Sequence, residues 1–259
     1  MANVRQIAKQ AGVSITTVSR VLNNHPRVSE DARQRVLAAT SASRYVPAVG
    51  RRSTTNIAFA YTGESSLGST FDAALMQGMA AGMEEFGYDL MILDVRRARL
   101  PHETYSQMFL RKGIRGVVLR TTAQTRHVCE MIASEGFPSI VIGDRFEREN
   151  VSFVDCASAT PSREAVEHLI GLGHRRIAIA INVIDDSDHA DRLAGYREAL
   201  SDHGIEVDEK LIVRAPAYRG GGVQVMRRLG TMLDPPTAVY LTDPITAVGA
   251  VNEARKMGI

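Results

Sequence analysis

Gly12-Val13-Ser14-Ile15-Thr16-Thr17-Val18-Ser19-Arg20-Val21-Leu22-Asn23 is a stretch with two faces that require different neighbours. Ser14 stands as an N-cap, its hydroxyl placed to accept from the free amides of a first helical turn. From there Val18, Val21 and Leu22 recur at i, i+3 and i+4, an apolar stripe that must pack against something. Ile15, Thr16, Ser19, Arg20 and Asn23 form the other stripe, largely hydroxyls, one amide and one guanidinium. Upstream, Val4, Ile7, Ala8 and Ala11 repeat the helical spacing, and Gly12 ends that helix where a left-handed residue must turn the chain. Two short helices joined by a tight turn containing Gly read as a helix-turn-helix, whose second helix enters the DNA major groove. A third helix follows: Ser29 caps it, Glu30 and Asp31 occupy its first turn, and Ala32, Val36 and Ala39 give it an inner face.

The charge distribution agrees with that motif. The chain of 259 residues carries a net charge of only +2, but residues 1–52 hold nine Lys and Arg against two acidic residues, a local balance of +7 that leaves −5 on the remainder. A basic arm on an acidic body is the footprint of a phosphate-binding module joined to a part that need not touch nucleic acid; a merely solvated basic face is the alternative. Residues 1–10 lack the apolar core of a signal peptide, and no apolar run approaches the length of a membrane helix, so a cytoplasmic protein without membrane contact is expected. Two cysteines, Cys129 and Cys156, stand far apart without a CxxC, which supports neither disulfides nor zinc, and both are expected to be buried.

The length suits one headpiece and a two-lobed body. Residues 41–56 are small, polar and basic without an apolar period, and mark a boundary. Beyond them, apolar runs at 57–61, 89–93, 116–119, 139–142, 176–181 and 238–241 alternate with helical patterns at 71–86, 102–112, 161–172, 191–203 and 246–257. Strand and helix in alternation predict an α/β body of parallel sheets covered on both faces, with ligands at the carboxyl ends of the strands. The expected division is a helix-turn-helix headpiece at 1–46, a hinge at 47–56 and an effector-binding body at 57–259, its lobes meeting near 158/159.

Val4-x-x-Ile7-Ala8-x-x-Ala11-Gly12-Val13-Ser14-x-x-Thr17-Val18-Ser19-Arg20-Val21-Leu22-Asn23, with Val28-Ser29 and Tyr45-x-Pro47, resembles the headpiece of the LacI/GalR family of bacterial transcription regulators. The body resembles the family's periplasmic-binding-protein-like core through His168-Leu-Ile-x-Leu-Gly-His174-Arg-Arg-Ile-Ala178, Arg192-x-x-Gly195-Tyr196, Pro236-Thr-Ala-Val239 and Asp243-x-x-x-Ala247-x-Gly249-Ala250. The resemblance implies a repressor that binds a near-palindromic operator as a homodimer, under control of a small effector such as a sugar or related metabolite. It implies no catalysis, metal or cofactor. Met257-Gly258-Ile259 falls where the family continues for several more strands and helices, so the second lobe is expected to be incomplete, either in a fragment or in a damaged regulator.

On DNA, Ile15 would meet a thymine methyl, Thr16 a base edge and Arg20 a guanine, with Ser19 and Asn23 on the same face. Ser14, Thr17, Arg5 and Arg51 would hold phosphates. The family's hinge helix and its minor-groove leucine are not matched here: Ala48 replaces an asparagine, Gly50 weakens a helix and Thr54 stands at the leucine position. A sugar-binding protein whose headpiece no longer reads DNA is therefore the competing expectation. For the effector, Arg192 offers five donors and Asp243 up to four acceptor sites, and both match ligand contacts in the resembling family. A salt bridge between lobes, or a helix cap at Asp243, would explain the same residues. Asp144 as a polar contact, Phe71 as an apolar floor and Tyr218 as a stacking ring complete the expected pocket, each with ordinary packing as its alternative.

Three further signals are read as structural. Asp185, Asp186, Asp188, His189 and Asp191 crowd one loop, but their spacing matches no established ligand set and predicts a solvated cluster. Gly220-Gly221-Gly222 lacks the Lys and Ser/Thr of a phosphate loop and predicts a flexible connection. His174 predicts a structural hydrogen bond.

Overall fold

The computed structural model describes residues 4–22, 27–43, 54–63 and 69–259. Its first three helices are α1 (Val4–Ala11), α2 (Ile15–Leu22) and α3 (Glu30–Ala42). Gly12 has φ +62°, and the bonds Gly12 N–H to Lys9 O and Val13 N–H to Ala8 O make the paired closure that a left-handed residue permits after a helix. Ser14 Oγ accepts from the Thr17 amide at 3.0 Å, so α2 begins where its cap requires. Ser29 Oγ accepts from the Ala32 amide at the start of α3. Ile7, Ala8, Ala11, Val18, Val21, Val36 and Ala39 close a small core that holds the three helices together.

The body contains two sheets. The first comprises β1 (Asn56–Tyr61), β2 (Asp89–Asp94), β3 (Ile114–Arg120), β4 (Ser139–Ile142) and β5 (Phe153–Val154), ordered β2-β1-β3-β4-β5, and β1 to β4 pair in parallel. Helices α4 (Thr70–Glu84), α5 (Val95–Ala98), α6 (Tyr105–Arg111) and α7 (Arg126–Ser134) connect them. Strand alternation sorts β1 by size: Ala58 and Ala60 enter the core with Met108, Phe109, Leu119 and Ile132, while Phe59 and Tyr61 point to the other face as an edge-to-face pair.

The second sheet follows α8 (Ala159–Gly171) and is formed by β6 (Ile177–Ile181), β7 (Ile212–Arg214) and β8 (Ala238–Leu241), all parallel, in the order β7-β6-β8. Its helices are α9 (Ser187–Asp202), α10 (Arg219–Gly230) and α11 (Pro244–Met257). Every β6 residue is buried. Ile177, Ile179 and Ile181 pack with Val166, Ile170, Tyr196 and Leu200, whereas Ala178 and Ala180 leave room for Val213, Val225 and Leu229 on the opposite face. Contacts divide the chain into one unit of 1–65, 75–142 and 146–153 and another of 66–74, 143–145 and 154–259.

Several expectations are corrected. Strands β5 and β7 and helices α7 and α10 were not visible as patterns. Gly220-Gly221-Gly222 is the first turn of α10 rather than a flexible connection: a Cβ on Gly221 would stand 2.0 Å from the Pro216 carbonyl oxygen, and one on Gly222 2.0 Å from that of Thr246. Cys129 is buried as expected, but Cys156 is exposed, because it falls in the segment between β5 and α8 and not on an inward strand position. His174 Nδ1 does make a structural bond, 2.9 Å from Thr237 Oγ1.

Candidate functional site

Two sets of residues carry the expected chemistry, one on the headpiece and one in the second unit. On α2 the apolar stripe is consumed by the core, and Ile15, Thr16 and Arg20 are exposed, with Ser19 partly so. Ile15, 49% exposed on a helix of eight residues, is an aliphatic side chain that the small core does not take. Ser14 and Thr17 share a hydroxyl–hydroxyl contact of 2.9 Å at the start of this helix, and Arg5 projects from α1 into solvent. One surface thus holds a methyl-bearing group, hydroxyls and a guanidinium, the set that reads thymine methyls and guanine edges. Asn23 and Arg51 lie outside the described residues. Thr54, at the position of the minor-groove leucine, donates its hydroxyl to the Gly113 carbonyl.

In the second unit the parallel strands bring their carboxyl ends, and the starts of α9, α10 and α11, to one side. Arg192, in the second turn of α9, donates from Nη1 to the Thr242 carbonyl at 2.6 Å and pairs Nη2 with Asp188 Oδ2 at 2.9 Å. Its Nε is buried and has no hydrogen-bond partner among the described residues. Asp243 Oδ1 accepts from the Thr246 amide at 2.7 Å and from its hydroxyl at 2.9 Å, capping α11 ahead of Pro244. Arg192 and the Thr242–Asp243 corner are therefore neighbours.

Asp144 is fully buried, and its Oδ1 accepts from the Arg145 amide. Arg145 forks onto both oxygens of Asp191, at 2.8 and 2.5 Å, and its Nε lies 3.5 Å from Asp155. Phe71 is the second residue of α4, 43% exposed, and Tyr218 is the residue before α10, 51% exposed. The Tyr218 ring lies over Gly220, where a Cβ would come within 2.6 Å of it.

Of the acidic loop Asp185 is exposed as expected, but the other members are not a solvated cluster. Asp186 is buried and caps α9, accepting from the His189 amide at 3.0 Å and lying 2.6 Å from His189 Nδ1. Asp188 is held by Arg192 and by the Ser158 hydroxyl, and Asp191 by Arg145. Asp186, Asp188 and His189 bring one ligand atom each within 4.8 Å of one another. Within this group Asp188 is paired with the Arg192 guanidinium, while Arg145 pairs with the neighbouring Asp191 and Asp155. The sequence does not show the Thr242 contact of Arg192, the Ser158 contact of Asp188 or the Arg145–Asp155–Asp191 network, because each joins residues distant along the chain; Arg145 and Asp191 are 46 positions apart.

Residues 3–48 match the model of bacterial regulatory proteins of the lacI family, and residues 166–259 match a periplasmic-binding-protein-like domain. The chain is 29% identical over 267 residues to the HTH-type transcriptional regulator DegA of Bacillus subtilis, covering 99% of this chain and 77% of DegA. It is 28% identical to the HTH-type transcriptional regulator AscG of Escherichia coli, over 100% of this chain and 79% of AscG. The solved structure of the transcriptional regulator CelR in complex with cellobiose superimposes with a TM-score of 0.66 at 28% identity, covering 100% of this chain and 79% of CelR.

Proposed function

We propose that the chain is a DNA-binding regulator of the LacI family of bacterial regulatory proteins, and that it represses transcription as a homodimer on a near-palindromic operator under control of a small effector such as a sugar. The observation that carries the DNA part is the face of α2: Ile15, Thr16 and Arg20 are exposed together while Val18 and Val21 are buried. Arg20 takes a guanine edge bidentately, Ile15 packs on a thymine methyl, and Thr16 bonds a base edge. Ser14, Thr17 and Arg5, with Arg51, hold phosphates and make affinity fall steeply with salt.

The effector part rests on Arg192 beside the Asp243 corner, donors and acceptors set together at the carboxyl ends of β6 and β8. A polyhydroxylated ligand both donates and accepts and suits such a pair, and CelR holds cellobiose. Asp144, Phe71 and Tyr218 supply a polar contact, an apolar floor and a stacking ring. The ligand acts by binding one arrangement of the body better than another, which biases the headpieces toward or away from the operator.

Pairing of two chains is supported by α4. It is the most apolar helix of the body in composition, yet Ala73, Ala74, Gly78, Ala80 and Ala81 are exposed on it.

Selection of bound sequences from random duplexes at moderate salt tests the reading. A two-fold symmetric consensus is expected, and Arg20→Ala is expected to erase the preference for its guanine positions. Binding of no duplex, with cellobiose still bound, would favour a sugar-binding protein with a silent headpiece. An unchanged consensus with Arg20→Ala would overturn the recognition face.

A further inference from the structure

We propose that the first unit carries a second small-molecule site, for an organic anion with an apolar body, in a groove of about 420 Å³. Thr62, Val95, Arg96, Arg99, Leu100 and Tyr105 line it, together with Pro101 and Val128. None of these residues belongs to the effector set proposed above. The volume lies within the range of sites that enclose small organic ligands.

The walls decide the ligand's chemistry. Val95, Tyr105 and Val128 are core residues whose surfaces form an apolar floor, and Leu100, 53% exposed, stands at the rim. Above the floor are two guanidiniums. Arg99 lies over the Tyr105 ring, 4.8 Å from its centroid, and donates Nη1 to the Glu103 carbonyl at 2.8 Å. Its other nitrogens make no hydrogen bond among the described residues. Arg96 is half exposed and reaches Asp94 with Nη2 alone, at 3.4 Å. A guanidinium fixed by a ring and a carbonyl, with donors left over, is pre-set to take a carboxylate.

The nearby acids do not cancel this charge. Residues 94–111 contain Arg96, Arg97, Arg99 and Arg111 against Asp94 and Glu103, a surplus of two positive charges. Burial pushes the Asp94 carboxyl up, but donors from Arg96 and Arg97 outweigh it and hold it below the usual aspartate value. Glu103 is engaged elsewhere: its two oxygens accept from Arg111 Nε and Nη2 at 2.7 and 2.8 Å, and Oε2 also accepts from the Leu100 amide at 3.0 Å. That knot fixes the turn Leu100–Glu103, which the Glu103 amide closes on the Leu100 carbonyl at 3.2 Å and in which Pro101 precedes His102 at a left-handed φ of +62°. The rim of the groove is thus rigid before any ligand arrives, and little ordering entropy opposes binding.

The test uses the full chain, ¹⁵N-labelled, titrated with benzoate, with benzamide as its neutral counterpart and with inorganic phosphate as an anion lacking the apolar body. Benzoate is expected to shift the amides of Thr62, Leu100, Tyr105 and Val128 to saturation, with benzamide and phosphate each at least about tenfold weaker. Arg99→Gln is expected to weaken benzoate by about tenfold or more. Leu100→Trp, which fills the groove from its exposed rim, abolishes the shifts, and Arg192→Lys leaves them unchanged. If the thermal midpoint of the Arg99 variant falls, Arg96→Gln carries the same test from an exposed position. Absence of saturable shifts, equal binding of benzoate and benzamide or of benzoate and phosphate, or benzoate binding that survives both Arg variants overturns the proposal.

Discussion

Gly222 of α10 lies against the Thr246 carbonyl of α11 so closely that a Cβ would stand 2.0 Å from the oxygen, and Gly249 of α11 repeats the approach against the Arg219 carbonyl of α10. Each helix presents a glycine to the other's first turn, and those first turns follow Tyr218 and Asp243. The spacing of two proposed effector residues is therefore set by the absence of two side chains.

Gly222→Ala is expected to destabilise the fold by about 1–3 kcal/mol, since the methyl group meets backbone that must shift. The same displacement moves Asp243, so under the proposed effector assignment affinity for the effector is expected to fall with stability. Gly171→Ala in the last turn of α8 is the control: nothing lies within 4 Å of the added carbon, and helix propensity alone predicts a gain of up to about 1 kcal/mol. Thermal unfolding of both variants checks the contrast, and equal losses would refute the close-packing account.

Acid stability is expected to depend on Glu103. Burial pushes its carboxyl up, but the Arg111 fork and the Leu100 amide together outweigh burial and hold it below the usual glutamate value. A carboxyl depressed in the folded state contributes stability that is present above its unfolded value, about 4.3, and is lost as pH falls through the folded one. Glu103→Gln should lower stability at neutral pH and flatten the decline below about pH 4.3. Denaturant titrations at neutral and acid pH measure both.

At the alkaline end Tyr196 takes the corresponding part. It is fully buried, its hydroxyl donates to the Ile177 carbonyl at 2.8 Å, and burial pushes its pKa up to about 12. A raised folded value means stability that is intact below the unfolded value near 10 and is lost as pH rises toward the folded one. Tyr196→Phe should remove that slope above about pH 10 and cost about 1 kcal/mol at neutral pH, because the carbonyl loses its donor. Unfolding followed by circular dichroism at pH 8 and at pH 11 distinguishes the variant; parallel pH profiles would refute the assignment.

What the sequence disclosed follows the range of the forces involved. The caps at Ser14 and Ser29 and the turn at Gly12 are local, and the structure has them at the residues predicted. Ile177–Ile181 is uniformly apolar and reads as a strand from composition alone. In contrast, β7 has three residues and β5 two, too short for any period. Helix α10 was hidden by three glycines whose reason is tertiary, the backbones of Pro216 and Thr246 pressing on positions 221 and 222. The acidic loop showed its residue types but not its partners, since Arg145 and Ser158 reach it from distant segments.

The headpiece allows fold and recognition to be separated on one helix. Ser14 Oγ accepts from the Thr17 amide, so Ser14→Ala removes a cap and should cost about 1 kcal/mol. A core as small as that of α1, α2 and α3 has little stability in reserve, so the loss should show as fraying of α2 in amide exchange. Operator affinity then falls uniformly across sites, because the cap orders the helix without reading a base. Arg20→Ala acts oppositely: its exposed side chain contributes little to the fold, so exchange is unchanged, while discrimination at its guanine positions is lost by about 1–3 kcal/mol. A Ser14→Ala protein that changed the preferred sequence, or an Arg20→Ala protein that frayed α2, would mean the two faces of this helix are not divided between packing and recognition.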